Sequence, residues 1–211
     1  INQKAKKPIL INNLKQIIDV IDQYLSNAKS VDVRSIIQKN SKNIRNKIRD
    51  KAIILTGFAG GFRRSEIVNI EYNDIEFVSE GIKIFIKRSK TDQSGEGMIK
   101  AIPYFENQAY CPVIALKKWL DYSNIKSGKI FNISDKSVAL IIKKYVSMAG
   151  LDPNKYGGHS LRSGFATSAA ESGAEERNIM AMTGHKTTQM VRRYIQEANL
   201  FKNNALNKIK I

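Results

Sequence analysis

The period of the hydrophobic residues changes near residue 75, and this change constrains the fold more than any other feature of the sequence. Before it, apolar residues recur every three or four positions, which is the spacing of amphipathic helices. Isoleucine then occupies every second position of residues 82–86, which is the period of a strand, and residues 75–77 alternate in the same way. Residues 98–104 return as a third strand after a polar segment at residues 91–97 that holds two glycines. These patterns predict one small antiparallel sheet whose last two strands are joined by a hairpin loop.

Helical periodicity covers most of the remaining chain. The two long segments before the sheet are residues 10–25 and 44–58, and the second ends at Gly60-Gly61, a pair typical of helix ends. After the sheet, Pro112 is placed to begin a helix. Further helices are predicted over residues 64–70, 138–148, 160–172, 175–182 and 187–196. The sequence therefore predicts an α+β fold that is mainly α-helical, with a three-stranded antiparallel sheet, in one domain over residues 1–211.

The chain is strongly basic, with 35 lysines and arginines against 19 acidic residues and a formal net charge of +16. Such an excess favours a polyanionic partner, and nucleic acid is the usual one because its phosphates release counterions on binding. The alternative is a globular protein with a high pI and no polyanionic partner. Cys111 is the sole cysteine, so no internal disulfide can form, which fits a reducing cytoplasm. No apolar run approaches the roughly 20 residues that span a bilayer, and no membrane association is expected.

Both histidines of the chain lie in short motifs suited to phosphate chemistry. His159 begins the series His-Ser-Leu-Arg, and because positions three apart share one face of a helix, His159 and Arg162 can point into one cleft. His185 follows Gly184 and precedes Tyr194 by nine residues, about two and a half helical turns. A turn after Gly184 can bring the imidazole and the phenol together. The alternatives are a histidine that caps a helix, a solvated arginine and a tyrosine in the core or at its rim.

Two further segments supply cations and a carboxylate. Arg63 follows Gly60-Gly61 at a helix start, where a guanidinium can bind two phosphate oxygens alongside the helix N–H groups. The alternative is a surface arginine paired with Glu66 one turn on. Two arginines directly precede Tyr194, where they would attract DNA and favour the phenolate, since a free phenol has a pKa of about 10.

The sequence also offers a candidate catalytic lysine, and it lacks the motifs that would indicate a metal site or a nucleotide site. Lys90 lies at the edge of the predicted hairpin loop, where a lysine is normally just solvated, and Lys87 competes with it for a catalytic role. Two histidines and one cysteine far apart in the sequence give no metal-ligand spacing. No glycine-rich Walker loop occurs either. The chemistry is therefore expected to need no metal, no nucleotide and no other cofactor.

In combination these motifs resemble the tyrosine recombinase family, the lambda integrase-like site-specific recombinases. Their order and approximate spacing match the catalytic domain of that family over nearly the whole chain. The lysine is the loosest match because the hairpin varies in length within the family. The matching segments are residues 61–67, 89–91 and 159–162, the Gly184-His185 pair and Tyr194.

The resemblance implies an enzyme that cleaves and rejoins DNA strands at specific sites without a metal or ATP. Tyr194 would attack the scissile phosphate, form a 3′-phosphotyrosyl bond and release a 5′-hydroxyl. Arg63 and Arg162 would bind the non-bridging oxygens, where charge accumulates in the transition state, and His185 would add a hydrogen bond there. The 5′-hydroxyl of a second strand would then reverse the reaction.

The remaining roles follow from the same resemblance. His159 would take or relay the tyrosine proton, and Lys90 would protonate the leaving 5′-oxygen. Glu66 would orient the site without itself contacting the phosphate. The expected DNA-binding residues are Arg64, Arg192 and Arg193.

The resemblance also implies a larger protein and a larger assembly. An N-terminal core-binding domain is absent from this chain, so we expect a C-terminal catalytic-domain fragment in which residues 1–7 are a linker remnant. Residues 199–211 are expected to form a tail helix, which either enters a neighbouring protomer or packs on its own domain. The expected partners are double-stranded DNA, other protomers in a tetrameric synapse and an accessory directionality factor, whereas the free fragment is expected to be monomeric. The expected location is the cytoplasm, at the nucleoid, of a bacterium whose own genome or phage encodes the protein.

Three alternatives stay open at this point. A type IB topoisomerase shares the chemistry, although those enzymes usually have a lysine where His159 stands. A catalytically inactive integrase relic would bind DNA without cleaving it, which the intact set of motifs argues against. A general nucleic-acid binder would explain the charge but not the motifs.

Overall fold

The structure is a computed structural model, and it describes residues 6–29, 37–87, 97–185 and 187–199. Over these residues the chain forms eight α-helices and three strands. The helices are α1 (Ile11–Lys29), α2 (Ile37–Ala59), α3 (Arg64–Val68), α4 (Pro112–Ser123), α5 (Asp135–Met148), α6 (Ser160–Glu171), α7 (Glu176–Thr183) and α8 (Thr188–Asn199). The strands are β1 (Ile75–Val78), β2 (Gly81–Ile86) and β3 (Met98–Pro103).

The mainly helical α+β fold with a three-stranded antiparallel sheet is confirmed. α2 ends immediately before Gly60-Gly61, and Pro112 is the first residue of α4, as predicted. Lys90, most of the predicted hairpin loop, the start of the predicted linker and residues 200–211 of the predicted tail helix lie outside the described residues. No helix among the described residues is both long enough and apolar enough to cross a bilayer.

The sheet has the strand order β1-β2-β3, and its inner face carries the isoleucines that alternate along β2. Ile84, at the centre, is opposite Ile75 on one side and Lys100 on the other. Residues directly opposite each other in an antiparallel pair share a face of the sheet. Lys100 therefore points inward with Ile84, and its side chain is fully buried.

The core surrounds α2, which packs against α1, α4 and α6. The segment before α1 is tied to the region of α6, since the Ile9 N–H donates to the Ser160 carbonyl at 2.9 Å. A second, smaller apolar cluster joins α6, α7 and α8, and Tyr194 of α8 packs against it. This arrangement places the turns that carry the sequence motifs at the junction of the two clusters.

Candidate active site

One open cleft of about 560 Å³ is lined by five of the six residues that the sequence predicts to be catalytic. They come from the turn before α3, the start of α6, the turn after α7, and α8. The five are Arg63, His159, Arg162, His185 and Tyr194. The structure thus brings together side chains that lie up to 131 positions apart in the sequence, from 63 to 194. The sixth, Lys90, lies outside the described residues.

Two glycines in the left-handed conformation lead the chain into this cleft. Gly61 has φ +55° and follows α2, and Gly184 has φ +63° and follows α7. Residues with a Cβ rarely adopt this backbone conformation, whereas glycine adopts it freely and commonly ends helices in this way. Each glycine therefore terminates a helix and turns the chain towards Arg63 or His185.

Arg63 is held by Glu66. The backbone N–H of Arg63 donates to Oε2 of Glu66 at 2.9 Å, and its guanidinium Nη1 donates to Oε1 at 2.6 Å. The ion pair between Arg63 and Glu66 that the sequence offered as an alternative is therefore present. It does not lie at the surface, because the two side chains are only 16% and 2% exposed. Burial raises the pKa of Glu66, yet the charge of Lys100 and the hydrogen bonds from Arg63 outweigh it and lower that pKa overall. The carboxylate thus stays ionised and fixes the guanidinium.

Arg162 is buried, and the alternative of a solvated arginine is wrong. Its Nη1 donates to the Gly61 carbonyl at 2.8 Å, whereas its buried Nη2 has no hydrogen-bond partner among the described residues. Burial, together with the charge of Arg63, lowers the pKa of Arg162 to about 10, with Glu66 and Tyr194 opposing the shift. A buried N–H group without an acceptor is unfavourable, so an oxygen atom that entered the cleft would stabilise this site.

His185 is half-buried beside Tyr194, and the centroids of the two rings lie 6.4 Å apart. Its Nδ1 lies 2.8 Å from the hydroxyl of Thr183, the last residue of α7. Burial and the charges of Arg162, Arg63 and Lys100 lower the pKa of His185 to about 4. The imidazole is therefore neutral at pH 7 in the absence of an anion.

His159 occupies the N-cap position of α6, but its side chain makes no capping hydrogen bond. Its carbonyl instead accepts hydrogen bonds from the backbone N–H and the hydroxyl of Ser163, both at 2.9 Å. The imidazole is exposed where it lines the cleft. The alternative of a histidine whose side chain caps the helix is thus wrong, and the ring is accessible to a proton donor in the cleft.

The positive charges in and behind the cleft lower the pKa of three nearby groups. Arg63 contributes to the lowered pKa of Arg162, of His185 and of Lys100, and Arg162 contributes to the last two. Among the causes of these shifts, Glu66 is the carboxylate that opposes the accumulated positive charge for Arg162 and Lys100. Bringing an anion among these groups would relieve their repulsion, which makes the cleft a site for a negatively charged ligand.

The three arginines predicted to bind DNA are not among the residues that line the cleft, and each has different contacts. Arg64 is half-buried, and its guanidinium lies 3.9 Å from the Asp135 carboxylate. Arg192 is exposed and lies 3.4 Å from Glu176, and Arg193 is exposed on the same helix. Their binding of DNA stays a prediction.

Lys87, the competitor of Lys90, lies in a different pocket. Its ammonium is paired with Glu71 and, at 3.1 Å, with Asp74. Those hydrogen bonds raise the pKa of Lys87. Lys87 therefore lines a pocket that does not contain Tyr194, and its two acidic partners disfavour it as the lysine of the cleft.

Lys100 and Thr183 also contact the site groups, and neither was predicted from the sequence. The signal for Lys100 was present: period-two alternation places it on the same face of β3 as Ile102, which is buried. However, Ile99 and Ala101 make the opposite face look equally apolar, so the pattern alone does not tell which face is inward. For Thr183 no sequence signal distinguishes it from an ordinary helical threonine.

The sequence profile of the Phage integrase family matches residues 27–200. This chain belongs to the phage integrase family. The resemblance to tyrosine recombinases is thereby confirmed. Among the curated members of the family, an integrase/recombinase XerD homolog of Selenomonas ruminantium is 46% identical over 219 aligned positions, which cover 98% of this chain and 59% of that protein. A tyrosine recombinase of Agathobacter rectalis is 29% identical over 163 positions, covering 76% of this chain and 51% of the relative. This integrase-family chain thus spans just over half the length of these relatives.

Solved structures of recombinases share the fold. The XerA recombinase superposes with a TM-score of 0.67 at 18% identity, covering 100% of this chain and 66% of that one. XerH site-specific recombinase in a post-cleavage complex with palindromic difH substrate gives a TM-score of 0.67 at 18% identity over 95% of this chain and 54% of that one. A lambda integrase dimer bound to a COC′ core site gives 0.57 at 17% identity, covering 100% of this chain and 53% of that one. At such low identity these similarities show only the fold of the integrase-family chain. Its chemistry has to be inferred from its own residues.

Proposed function

We propose that this chain catalyses site-specific DNA recombination, with Tyr194 forming a covalent bond to a 3′-phosphate. The observation that carries the proposal is the pair of largely buried arginines, Arg63 and Arg162, in the cleft that also holds the Tyr194 phenol. The Nη2 of Arg162, which has no hydrogen-bond partner among the described residues, supplies a donor for a non-bridging oxygen. Membership of the phage integrase family supports the same chemistry.

The reaction needs two proton transfers and no change of oxidation state. The Tyr194 oxygen attacks phosphorus, the bond from phosphorus to the 5′-oxygen breaks, and the 5′-oxygen leaves with a proton. In our proposal His159, exposed in the cleft, accepts or relays the phenol proton, and Lys90 supplies the proton to the leaving oxygen. Arg63 and Arg162 bind the non-bridging oxygens. The phosphotyrosyl bond conserves the energy of the phosphodiester, so resealing requires no ATP.

Double-stranded DNA is the proposed partner. The net charge of +16 supports a polyanion, and the XerH and lambda integrase structures that share the fold are bound to DNA sites. We further propose that recombination uses a tetrameric synapse in the cytoplasm of a bacterial host, with an accessory factor that sets its direction. The relatives named above are recombinases and integrases, so neither a topoisomerase nor a general nucleic-acid binder is proposed.

The direct test is a covalent protein–DNA adduct. The protein is incubated in EDTA with a pool of nicked, randomised duplexes, and the products are separated on a denaturing gel. We expect an adduct with the wild type and with Tyr122→Phe, a matched control at an exposed tyrosine of α4, but not with Tyr194→Phe. Sequencing of the trapped DNA would give the site. An adduct that persists in Tyr194→Phe would refute the assigned nucleophile, and a wild type that binds the duplexes without forming any adduct would indicate a non-catalytic DNA-binding protein.

A further inference from the structure

Lys100 is a buried ammonium at the back of the cleft. Its Nζ donates to the carbonyls of Gly60 and Met182, both at 2.7 Å, and lies 3.7 Å from Oε2 of Glu66. It also lies 4.4 Å from the centroid of the Phe62 ring. The side chain is 0% exposed and is not among the residues that line the cleft. Lys100 therefore acts on the cleft through its charge and through the groups it holds, not by lining the cleft itself.

The two carbonyls belong to the ends of two helices. Gly60 directly follows α2, and Met182 lies in the last turn of α7. Carbonyls at helix C-termini lack partners within the helix and carry the negative end of its dipole, so an ammonium is a favourable partner for them. One side chain from β3 thus caps α2 and α7 at the same time.

Each of these helix ends leads into a catalytic candidate. Gly60 stands three positions before Arg63, and Met182 stands three positions before His185. The same ammonium lies close to Glu66, which holds the Arg63 guanidinium. The contacts of Lys100 therefore reach both sides of the cleft, although the two turns are more than 120 residues apart in the chain.

Packing alone does not explain a lysine at this position. The neighbours of Lys100 on the inner face of the sheet are Ile84 and Ile102, and an aliphatic residue would continue that face. Burying an ammonium is unfavourable unless its hydrogen bonds are made. Burial lowers the pKa of Lys100 to about 8, with Glu66 opposing the shift and the two cleft arginines adding to it. The sequence thus keeps a costly group where a hydrophobic one would fit.

We infer that Lys100 is a positioning residue that fixes the distance between the turn before Arg63 and the turn before His185. The side chains of Arg63 and His185 can then contact the same phosphate. The inference rests on the proposed function for its catalytic consequence. It assigns to Lys100 a role separate from that of Lys90, because Lys100 contacts backbone carbonyls and a carboxylate rather than the cleft. A displacement of catalytic groups by about 1 Å is enough to slow a reaction about 100-fold.

The test compares Lys100→Met, which removes the donors, with Lys83→Met, a matched control at an exposed lysine on the outer face of β2. For Lys100→Met we expect a single-turnover rate of adduct formation at least about 30-fold lower, with DNA affinity within about threefold of wild type. Adding Lys100→Met to His185→Ala should lower the rate less than it does in the wild type, because the two changes affect one unit. A folded Lys100→Met protein with a wild-type rate, or with fully additive losses, would overturn the inference.

Amide hydrogen exchange gives a readout that needs no catalysis. In Lys100→Met we expect residues 61–63 and residues 183–185 to exchange at least about tenfold faster together, and in Lys83→Met neither segment to change. If the wild type forms no adduct, the proposed function fails while the exchange data still decide whether Lys100 links the turns. If Lys100→Met does not fold, Lys100→Gln, which keeps two N–H donors without the charge, replaces it in both measurements. Unchanged exchange or acceleration of one turn alone would refute the link.

Discussion

The hydroxyl of Thr183 lies 2.8 Å from Nδ1 of His185, which is hydrogen-bonding distance. The same hydroxyl lies 2.6 Å from the Ile179 carbonyl, to which it donates its single proton. Its oxygen therefore accepts the hydrogen bond from Nδ1–H of His185, and the neutral ring is left with Nε2 as an acceptor. To donate a hydrogen bond to a phosphate through Nε2, His185 must first gain a proton.

An anion bound in the cleft should raise the pKa of His185 and so favour protonation of its imidazole. The pKa of His185 is about 4 because burial and three neighbouring cations disfavour the imidazolium. We expect saturating inorganic phosphate to raise this pKa by about one unit or more, because its negative charge offsets those cations. The measurement is an NMR titration of the histidine ring signals. These signals are simple to assign because the chain has two histidines. A pKa that stays constant while phosphate is shown to bind would contradict the expectation.

Stability should fall in mildly acidic solution because of the same residue. An unfolded histidine takes up its proton near pH 6.5 and folded His185 only near pH 4, so between these values the unfolded chain binds more protons. The free energy of unfolding is therefore lost as the pH falls from about 6.5 towards 4, by about 1 kcal/mol once the screening of a half-exposed ring is included. Urea unfolding at about pH 7 and 5 checks this. His185→Gln should lose less than the wild type, and identical losses in the two proteins would exclude His185 as the cause.

Thr183→Val should remove the hydrogen bond to the His185 ring without leaving a cavity in the core. Valine has nearly the shape of threonine but cannot accept the Nδ1–H hydrogen bond, so the ring is free to change its tautomer. We expect adduct formation to slow by about tenfold, consistent with the loss of one positioned hydrogen bond of about 1.4 kcal/mol. The NMR signal of the His185 ring nitrogens should change, while that of His159 serves as the internal control. An unaltered His185 tautomer would show that Thr183 does not fix it.

Arg162→Lys should separate geometry from charge. The guanidinium reaches the Gly61 carbonyl with Nη1 while Nη2 stays available, and a lysine cannot present two donors in this fixed arrangement. We expect a loss of about 100-fold or more in the rate of adduct formation, as for removal of a donor to a developing oxyanion. Overall DNA binding and its dependence on salt should change little, because the net charge is kept. A rate close to wild type would mean that charge alone suffices at this position.

Gly164→Ala should destabilise the protein although alanine is the better helix former. A Cβ at Gly164 would lie 2.0 Å from the carbonyl oxygen of Ile9, which is backbone and has little freedom to move. The N-terminal segment would have to shift from α6, and we expect a loss of about 2 kcal/mol or more in the free energy of unfolding. Urea unfolding measures the change. A gain of up to about 1 kcal/mol, as helix propensity alone predicts, would show that the contact is absent.

Much of the fold could be predicted because its signals are local. Alternation over residues 82–86 identifies β2, Gly60-Gly61 marks the end of α2, and Pro112 marks the start of α4. Each of these features acts through the conformational preferences of a few adjacent residues, which do not depend on the rest of the chain. Local signals therefore sufficed to predict the elements and their order.

Much of the candidate site was also accessible from sequence, but its interior was not. The short motifs around His159 and His185 marked residues that the structure places in one cleft. The burial of Arg162 was not visible because it depends on the packing of α6 against the turn that follows α2. The Thr183–His185 hydrogen bond was not visible because it depends on the exact conformation of the turn at Gly184. A helical pattern states which residues share a face, and tertiary contacts decide what that face meets.

Lys100 illustrates the difference between what the sequence determined and what only the tertiary structure decided. The sequence by itself determined that residues 98–103 alternate and that Lys100 shares a face with Ile102, because the geometry of a strand is local. Only the tertiary structure decided that this face is buried, since its register opposite Ile84 belongs to the sheet as a whole. The carbonyls that Lys100 binds are 40 and 82 positions away in the chain, and no local preference brings such groups together. Folding places them in contact because burial of the surrounding apolar surface leaves the ammonium no other partners.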